Sequence, residues 1–186
     1  MSTFEKDLIR ARLAEAYVAY EYGSKYGITP EMAPNAAFKP WDFRIMVGAI
    51  DPTREWLRVE VKNDEIATDK LRRFRDLHRT TVMFELFCGW DASGKRIKSG
   101  LAATEADEWA HVVDDVMYVF DVEDLRRQAR HAWADKRIRD GCGDGGRVLA
   151  WIPEFNEVRR MVKWQRKLIG HIPRRDEESL PDPNFI

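Results

Sequence analysis

Two β-rich segments, residues 42–50 and 56–62, are separated by Asp51-Pro52-Thr53-Arg54-Glu55. A turn of that composition reverses the chain, so the segments are predicted to pair as an antiparallel hairpin. The hairpin constrains its neighbourhood strongly, because Asp42 opens the first segment and Glu60-Val61-Lys62 closes the second. Side chains alternate along a strand, so Glu60 and Lys62 share one face while Val61 points into a core on the other. With Ile50 placed beside Trp56, Asp42 falls at the far end, near Lys62. One Asp, one Glu and one Lys are predicted at one edge of a sheet.

The remaining elements follow from punctuation and pattern. Residues 4–22 contain no Gly or Pro and are rich in Ala, Leu, Arg and Glu. They predict a helix ended by Gly23, with Ile9, Leu13, Ala16, Tyr17 and Tyr20 on one apolar face and Phe4, Leu8, Ala11, Val18 and Tyr22 on another. Residues 63–79 read as a short helix or a loop, and 80–88 as a third strand. Thr104, with Asp107 three residues on, predicts an N-cap and a helix to about residue 113. A fourth strand at 116–120, a long helix at 122–139, a short strand at 148–152 and a helix at 154–169 complete the order. The fold class is therefore mixed α/β, an α-β-β-β-α-β core followed by an α-β-α extension, with helices flanking a sheet.

A formal charge of −1, from 31 Lys and Arg against 32 Asp and Glu, excludes a uniformly basic surface. It does not exclude a polyanionic partner, because the charge is unevenly spread. Residues 1–125 carry 17 basic and 23 acidic side chains, a net of −6, and residues 126–170 carry 12 and 5, a net of +7. We expect one domain over 1–170, with a core at about 4–125, a basic extension at 126–170 and a Pro-containing tail at 171–186. Glu5 and Asp7 stand where a signal peptide is basic, and no run approaches the ~18 apolar residues of a membrane helix. Cys88 and Cys142 lack disulfide-framework or zinc spacing. A cytoplasmic setting with no membrane partner is expected.

Two carboxylates at one edge suit Mg²⁺, which prefers oxygen ligands and keeps several waters; a neighbouring ammonium suits a phosphodiester under attack. Two more acids sit where acids are costly. Glu15 projects between Phe4, Leu8, Val18 and Tyr22, so it needs a partner: a metal, Lys62 or a structural Arg. Glu85 lies between Phe84 and Leu86, on the face of Met83 and Phe87, and either joins the site or faces solvent.

In this order of elements, Asp42 with Glu60-Val61-Lys62 resembles the PD-(D/E)XK nuclease superfamily, and within it phage-type endonucleases related to Holliday-junction resolvases. The likeness covers roughly residues 10–130. Leu13-Ala14-Glu15-Ala16-Tyr17-Val18 is similar to the opening helix, and Val82-Met83-Phe84-Glu85 to the acid-bearing strand after the E-x-K. Lys98-Ser99-Gly100-Leu101 with Thr104 and Ala106-Asp107-Glu108-Trp109 is similar to the segment that follows, and Met117-Tyr118-Val119-Phe120 to the closing strand. The resemblance implies a restriction-endonuclease-like core and Mg²⁺-dependent DNA cleavage, with Mn²⁺ as a substitute. Asp42, Glu60 and the Val61 carbonyl would ligate metal and Lys62 would position the attacking water. Glu15 and Glu85 would be auxiliary ligands or bonded to the ligands. If phage-encoded, the chain would work in the host bacterial cytoplasm.

Lys70, Arg72, Arg73 and Arg75 form a basic and aromatic patch near the E-x-K, Lys98 follows, and Arg159, Arg160, Lys163, Arg166 and Lys167 recur at helical spacing around Trp164. Such arrays neutralise phosphates without reading sequence; a solvated helix face is the alternative. Duplex or branched DNA is the expected partner, and junction cleavage would call for a homodimer. A non-catalytic DNA- or protein-binding module on the same scaffold is the rival reading. Gly141, Gly143 and Gly146 match G-x-G-x-x-G but follow a helix, which is the wrong context for a dinucleotide loop.

Overall fold

The computed structural model describes residues 3–34, 39–142 and 146–173, with side chains from Glu5 onward. The predicted tail beyond Pro173 and Gly143 of the glycine-rich stretch lie outside the described residues. The first helix, α1 (Thr3–Tyr26), does not stop at Gly23 as expected; it runs on to Gly27, whose φ is +68°. Gly23 serves close packing instead, since a Cβ there would stand 3.0 Å from both the Ile28 carbonyl oxygen and Pro30 Cδ. The helix buries one stripe, Ile9, Leu13, Ala14, Val18, Ala19 and Tyr22, and leaves Leu8 and Tyr20 exposed.

That stripe packs on a six-stranded sheet made of β1 (Glu31–Met32), β2 (Phe43–Met46), β3 (Trp56–Asn63), β6 (Glu108–Val113), β7 (Val116–Asp121) and β10 (Val162–Lys167), in the order β1-β2-β3-β6-β7-β10. All neighbours are antiparallel except β3 and β6. Alternation sorts the side chains. Leu57, Val59, Ala110, Val112, Met117 and Val119 meet α1, while Trp109, Val113, Tyr118 and Phe120 face the other way. On that second face lie α2 (Glu65–Phe74), α3 (Val122–Ala134), the one-turn helix α4 (Phe155–Val158) and a four-stranded antiparallel sheet. Its strands are β4 (Phe84–Trp90), β5 (Arg96–Lys98), β8 (Ile138–Cys142) and β9 (Val148–Trp151), ordered β5-β4-β9-β8. Phe84, Phe120 and Trp109 are fully buried between the layers; burial of each such side chain contributes roughly 1.5–3 kcal/mol.

The mixed α/β class holds, with differences in which segments supply it. The 80–88 segment, expected beside the hairpin, belongs to the second sheet as β4. In the chain, α1, β1, β2, β3 and α2 are followed by β4 and β5 of the second sheet before β6 rejoins the first, so the expected α-β-β-β-α-β order is interrupted by two strands. The predicted helix over 104–113 is β6, every residue of which is buried. A central strand covered on both faces reads as a continuous apolar run, which periodicity cannot separate from a helix. The predicted helix over 154–169 is a single helical turn, a 3-10 turn at Arg159–Met161, and β10. Val162 pairs with Phe120 and Trp164 with Val119 of β7, across a register shift that sends them to opposite faces, and that pairing overrides the helical spacing of the Arg and Lys residues. The extension after β7 is thus α-β-β-α-β rather than α-β-α. Within the expected tail, the Pro173 carbonyl accepts from buried Arg10 Nε at 2.9 Å.

A buried polar network pins β3, α2, β4 and β6 together. His111 Nδ1 accepts from Trp109 Nε1 at 3.2 Å, which leaves Nε2 as the donor to Asp64 Oδ2 at 3.0 Å. The Asp64 carboxylate also caps α2 through Ala67 N–H and accepts from Met83 N–H. Burial alone would raise its pKa, yet His111 and these amides hold it below the ordinary carboxylate value.

Candidate functional site

The hairpin forms as predicted, but with Met46 rather than Ile50 opposite Trp56. Phe43 pairs Val59, the Asp42 amide donates to the Val59 carbonyl at 2.9 Å, and Asp42 Oδ2 accepts from Val61 N–H at 2.7 Å. Asp42 therefore stands level with Glu60 and Val61 rather than with Lys62. Its carboxylate replaces the carbonyl that a longer β2 would have offered Val61. An extended residue directs its N–H and C=O to the same side, so the Val61 carbonyl faces this edge too.

Glu60 and Lys62 share the face opposite α1, beside Trp109 and His111 of β6. The segment before Asp42 is held there by the Pro40 carbonyl, which accepts from the Glu105 amide at 2.7 Å. Thr104, expected as a helix cap, sits inside the site. Its Oγ1 accepts from Ala106 N–H and lies 3.0 Å from the Pro40 carbonyl oxygen and 3.2 Å from Glu60 Oε2. One hydroxyl proton serves one of those oxygens. When it goes to Pro40, Glu60 completes its bond as a protonated acid donating to Thr104. The turn carrying Thr104 packs on β4 through Gly100, where φ is +46° and a Cβ would stand 2.7 Å from the Glu85 carbonyl oxygen.

Glu15 of α1 reaches the same edge through a residue the sequence did not single out. Lys39 Nζ lies 3.0 Å from Glu15 Oε2 and 3.5 Å from Asp42 Oδ1. The three side chains are 23%, 15% and 11% exposed. Its only sequence signal was a cation three residues before the acid.

The electrostatics follow from burial and crowding. Glu60 is pushed up to about 8, first by burial, then by the charge of Asp42 and less by Glu15; Thr104 and Lys62 oppose the rise. Asp42 is pushed up to about 6, again by burial and then by Glu15, against the Val61 amide and Lys39. Burial lowers the Lys39 pKa, but its bonds to Glu15 and Asp42 more than offset this and leave it raised. Three carboxylates thus share the edge with the ammonium groups of Lys39 and Lys62, and Glu60 resists ionising.

Among the described residues, no three acidic, imidazole or thiol side chains close on one point as metal ligands. The donor set nonetheless fits a hard cation: Asp42 Oδ1, Glu60 and the Val61 carbonyl are all oxygens, and the Lys39 ammonium already stands where such a charge would lie. Glu85 is placed on β4 of the second sheet, against Gly100. Besides burial, Asp42 is shifted by Glu15, the Val61 amide and Lys39, and Glu60 by Asp42, Thr104, Lys62 and Glu15.

The basic residues are dispersed. Arg72 pairs with Asp114, Lys163 with buried Glu108, and Arg166 Nε lies 2.7 Å from Glu21 Oε2. Lys70 donates to Thr81 Oγ1 at 2.6 Å, and Arg159 Nη1 lies 3.4 Å from His78 Nε2. Arg73 stacks on Phe74, and Arg75 ends α2 with φ 52°. Lys98, Arg160 and Lys167 are exposed. The predicted single helical array over 159–167 is replaced by a turn and a strand. No helix among the described residues is long and apolar enough to cross a membrane. No family model, curated protein or solved structure matches this chain.

Proposed function

We propose that the chain is a Mg²⁺-dependent DNA endonuclease of the PD-(D/E)XK type. The observation that carries this reading is buried Asp42, at the mouth of β2, beside half-buried Glu60 of β3, whose ionisation the charge of Asp42 opposes, with Lys62 next on the face of Glu60. Such a pair is a poor structural device, because each acid raises the other's cost of ionising. It is a good cation site. A bound Mg²⁺ supplies the charge that makes water acidic enough to attack phosphorus and that offsets charge building on the phosphodiester.

The chain's own residues supply the rest. Asp42, fixed by the Val61 amide, presents Oδ1; Glu60, held by Thr104, presents the second carboxylate. Lys62 places an ammonium on the face of Glu60 to orient water and stabilise the pentavalent phosphorus. As the water oxygen bonds to phosphorus, one ester P–O bond breaks, leaving a hydroxyl end and a phosphate end. Glu15 acts as an auxiliary group through Lys39, and Glu85 supports the turn that carries Thr104. Among the described residues, the exposed Arg73, Arg75, Lys98, Arg159, Arg160 and Lys167 make no ion pair with an acid and are the cations best placed to hold DNA.

The test is incubation with branched, single-stranded and linear duplex DNA in Mg²⁺ or Mn²⁺ and in EDTA. Cleavage of at least one substrate that stops in EDTA is expected. Binding with no cleavage in either metal would overturn the reading in favour of a non-catalytic binding module. A junction substrate would further require two sites related by a two-fold axis.

A further inference from the structure

We propose that Lys39 is a resident counter-cation that a divalent metal must displace, so that this lysine sets the metal affinity of the site. The inference rests on the metal-site reading above and goes beyond it by assigning a competitor. Asp42 has two carboxylate oxygens with separate duties. Oδ2 is committed to the Val61 amide, which leaves Oδ1 as the oxygen for a cation. Lys39 Nζ lies against that same oxygen at 3.5 Å and takes Glu15 Oε2 at 3.0 Å. A metal that uses Asp42 therefore competes with the ammonium for one atom.

The arrangement is also lopsided. Lys39 serves Glu15 and Asp42, whereas among the described residues Glu60 has only Thr104 within bonding distance and Lys62 acting at longer range. The ammonium groups of Lys39 and Lys62 face three crowded acids, which leaves the site one positive charge short once Glu60 ionises. Replacement by a dication answers that shortage. Lysine is suited to such a role because its charge rides on a flexible four-carbon stem. The ammonium can swing away while the backbone beside it stays tied through Pro40 to Glu105. Once displaced, it stands at the site's rim as a free cation for a phosphate oxygen.

Mn²⁺ titration by calorimetry or electron paramagnetic resonance, on the full chain without DNA, tests the assignment. Lys39→Met is expected to bind Mn²⁺ at least about tenfold tighter than wild type, a factor equal to about 1.4 kcal/mol. Lys39→Arg, which keeps the charge, is expected to bind no tighter than wild type. Mn²⁺ is also expected to raise the melting temperature of Lys39→Met by more than that of wild type; if the variant is unfolded in EDTA, Mn²⁺ is expected to restore its fold. Unchanged or weaker Mn²⁺ affinity in Lys39→Met, with wild-type binding abolished by Glu60→Gln, would overturn the role of Lys39 and leave the metal site standing. No Mn²⁺ binding by wild type or by Lys39→Met would overturn both.

Discussion

Glu60→Gln isolates the cost of ionising the buried pair. In the metal-free protein Glu60 titrates near 8 rather than at its ordinary 4.5. The sign follows from linkage: a carboxyl whose folded pKa is raised binds more protons folded than unfolded, so stability falls as pH rises from about 4.5 to about 8. At 1.36 kcal/mol per pKa unit, this one group lowers stability by up to about 5 kcal/mol above pH 8 and by less than about 1 kcal/mol at pH 5. The first figure is a ceiling, since part of the shift belongs to the charge of Asp42. Glutamine is neutral at every pH, and its amide can donate to Thr104 as the protonated acid does. Urea unfolding in EDTA at pH 5 and pH 9 reads the difference. Glu60→Gln is expected to match wild type at pH 5 and to exceed it by several kcal/mol at pH 9. A variant no more stable than wild type at pH 9 would refute the claim that Glu60 is ionised there at a cost.

Three other outcomes follow from the same contacts. Mg²⁺ is expected to raise the melting temperature more at pH 8.5 than at pH 5.5, because protons on Glu60 and Asp42 compete with the ion; scanning fluorimetry at fixed Mg²⁺ checks this. Asp64→Ala is expected to lower stability by about 3–5 kcal/mol, since it strands buried His111, the buried Ala67 amide and the half-buried Met83 amide together; a loss below 1 kcal/mol in urea would show that the network is not structural. Arg160→Ala with Lys167→Ala is expected to weaken DNA binding and flatten its salt dependence, whereas Arg72→Ala removes a partner of Asp114 and is expected to lower stability first. Filter binding across a salt series, paired with melting curves, separates these effects.

Much of the site was legible because strand alternation is a two-residue code. Pattern alone puts Asp42 and the E-x-K on adjacent strands, and the four-residue shift from Ile50 to Met46 opposite Trp56 moves Asp42 only from Lys62 to Glu60. Glu15 was singled out because an acid within an apolar stripe demands a partner. What hid were contacts between segments distant in the chain. β6 reads as a helix until His111 and Glu108 are seen to meet Asp64 and Tyr22, which satisfy their polarity inside a strand buried on both faces. Thr104 looked like a cap because its real partners, Pro40 and Glu60, lie 64 and 44 residues away. The Arg and Lys spacing of 159–167 suited a helix equally well, and only pairing with β7 decides for a strand. Lys39 carried no periodic signal at all.

The most direct test of the account is the single-turnover rate of DNA cleavage by Lys62→Ala, measured in saturating Mg²⁺ alongside its Mn²⁺ affinity. Lys62 is assigned to the water and the phosphorus, not to the metal. Lys62→Ala is expected to stay folded, to bind Mn²⁺ at least as well as wild type, and to lose cleavage by at least about 100-fold. Cleavage at the wild-type rate by a folded, metal-bound Lys62→Ala would contradict that assignment.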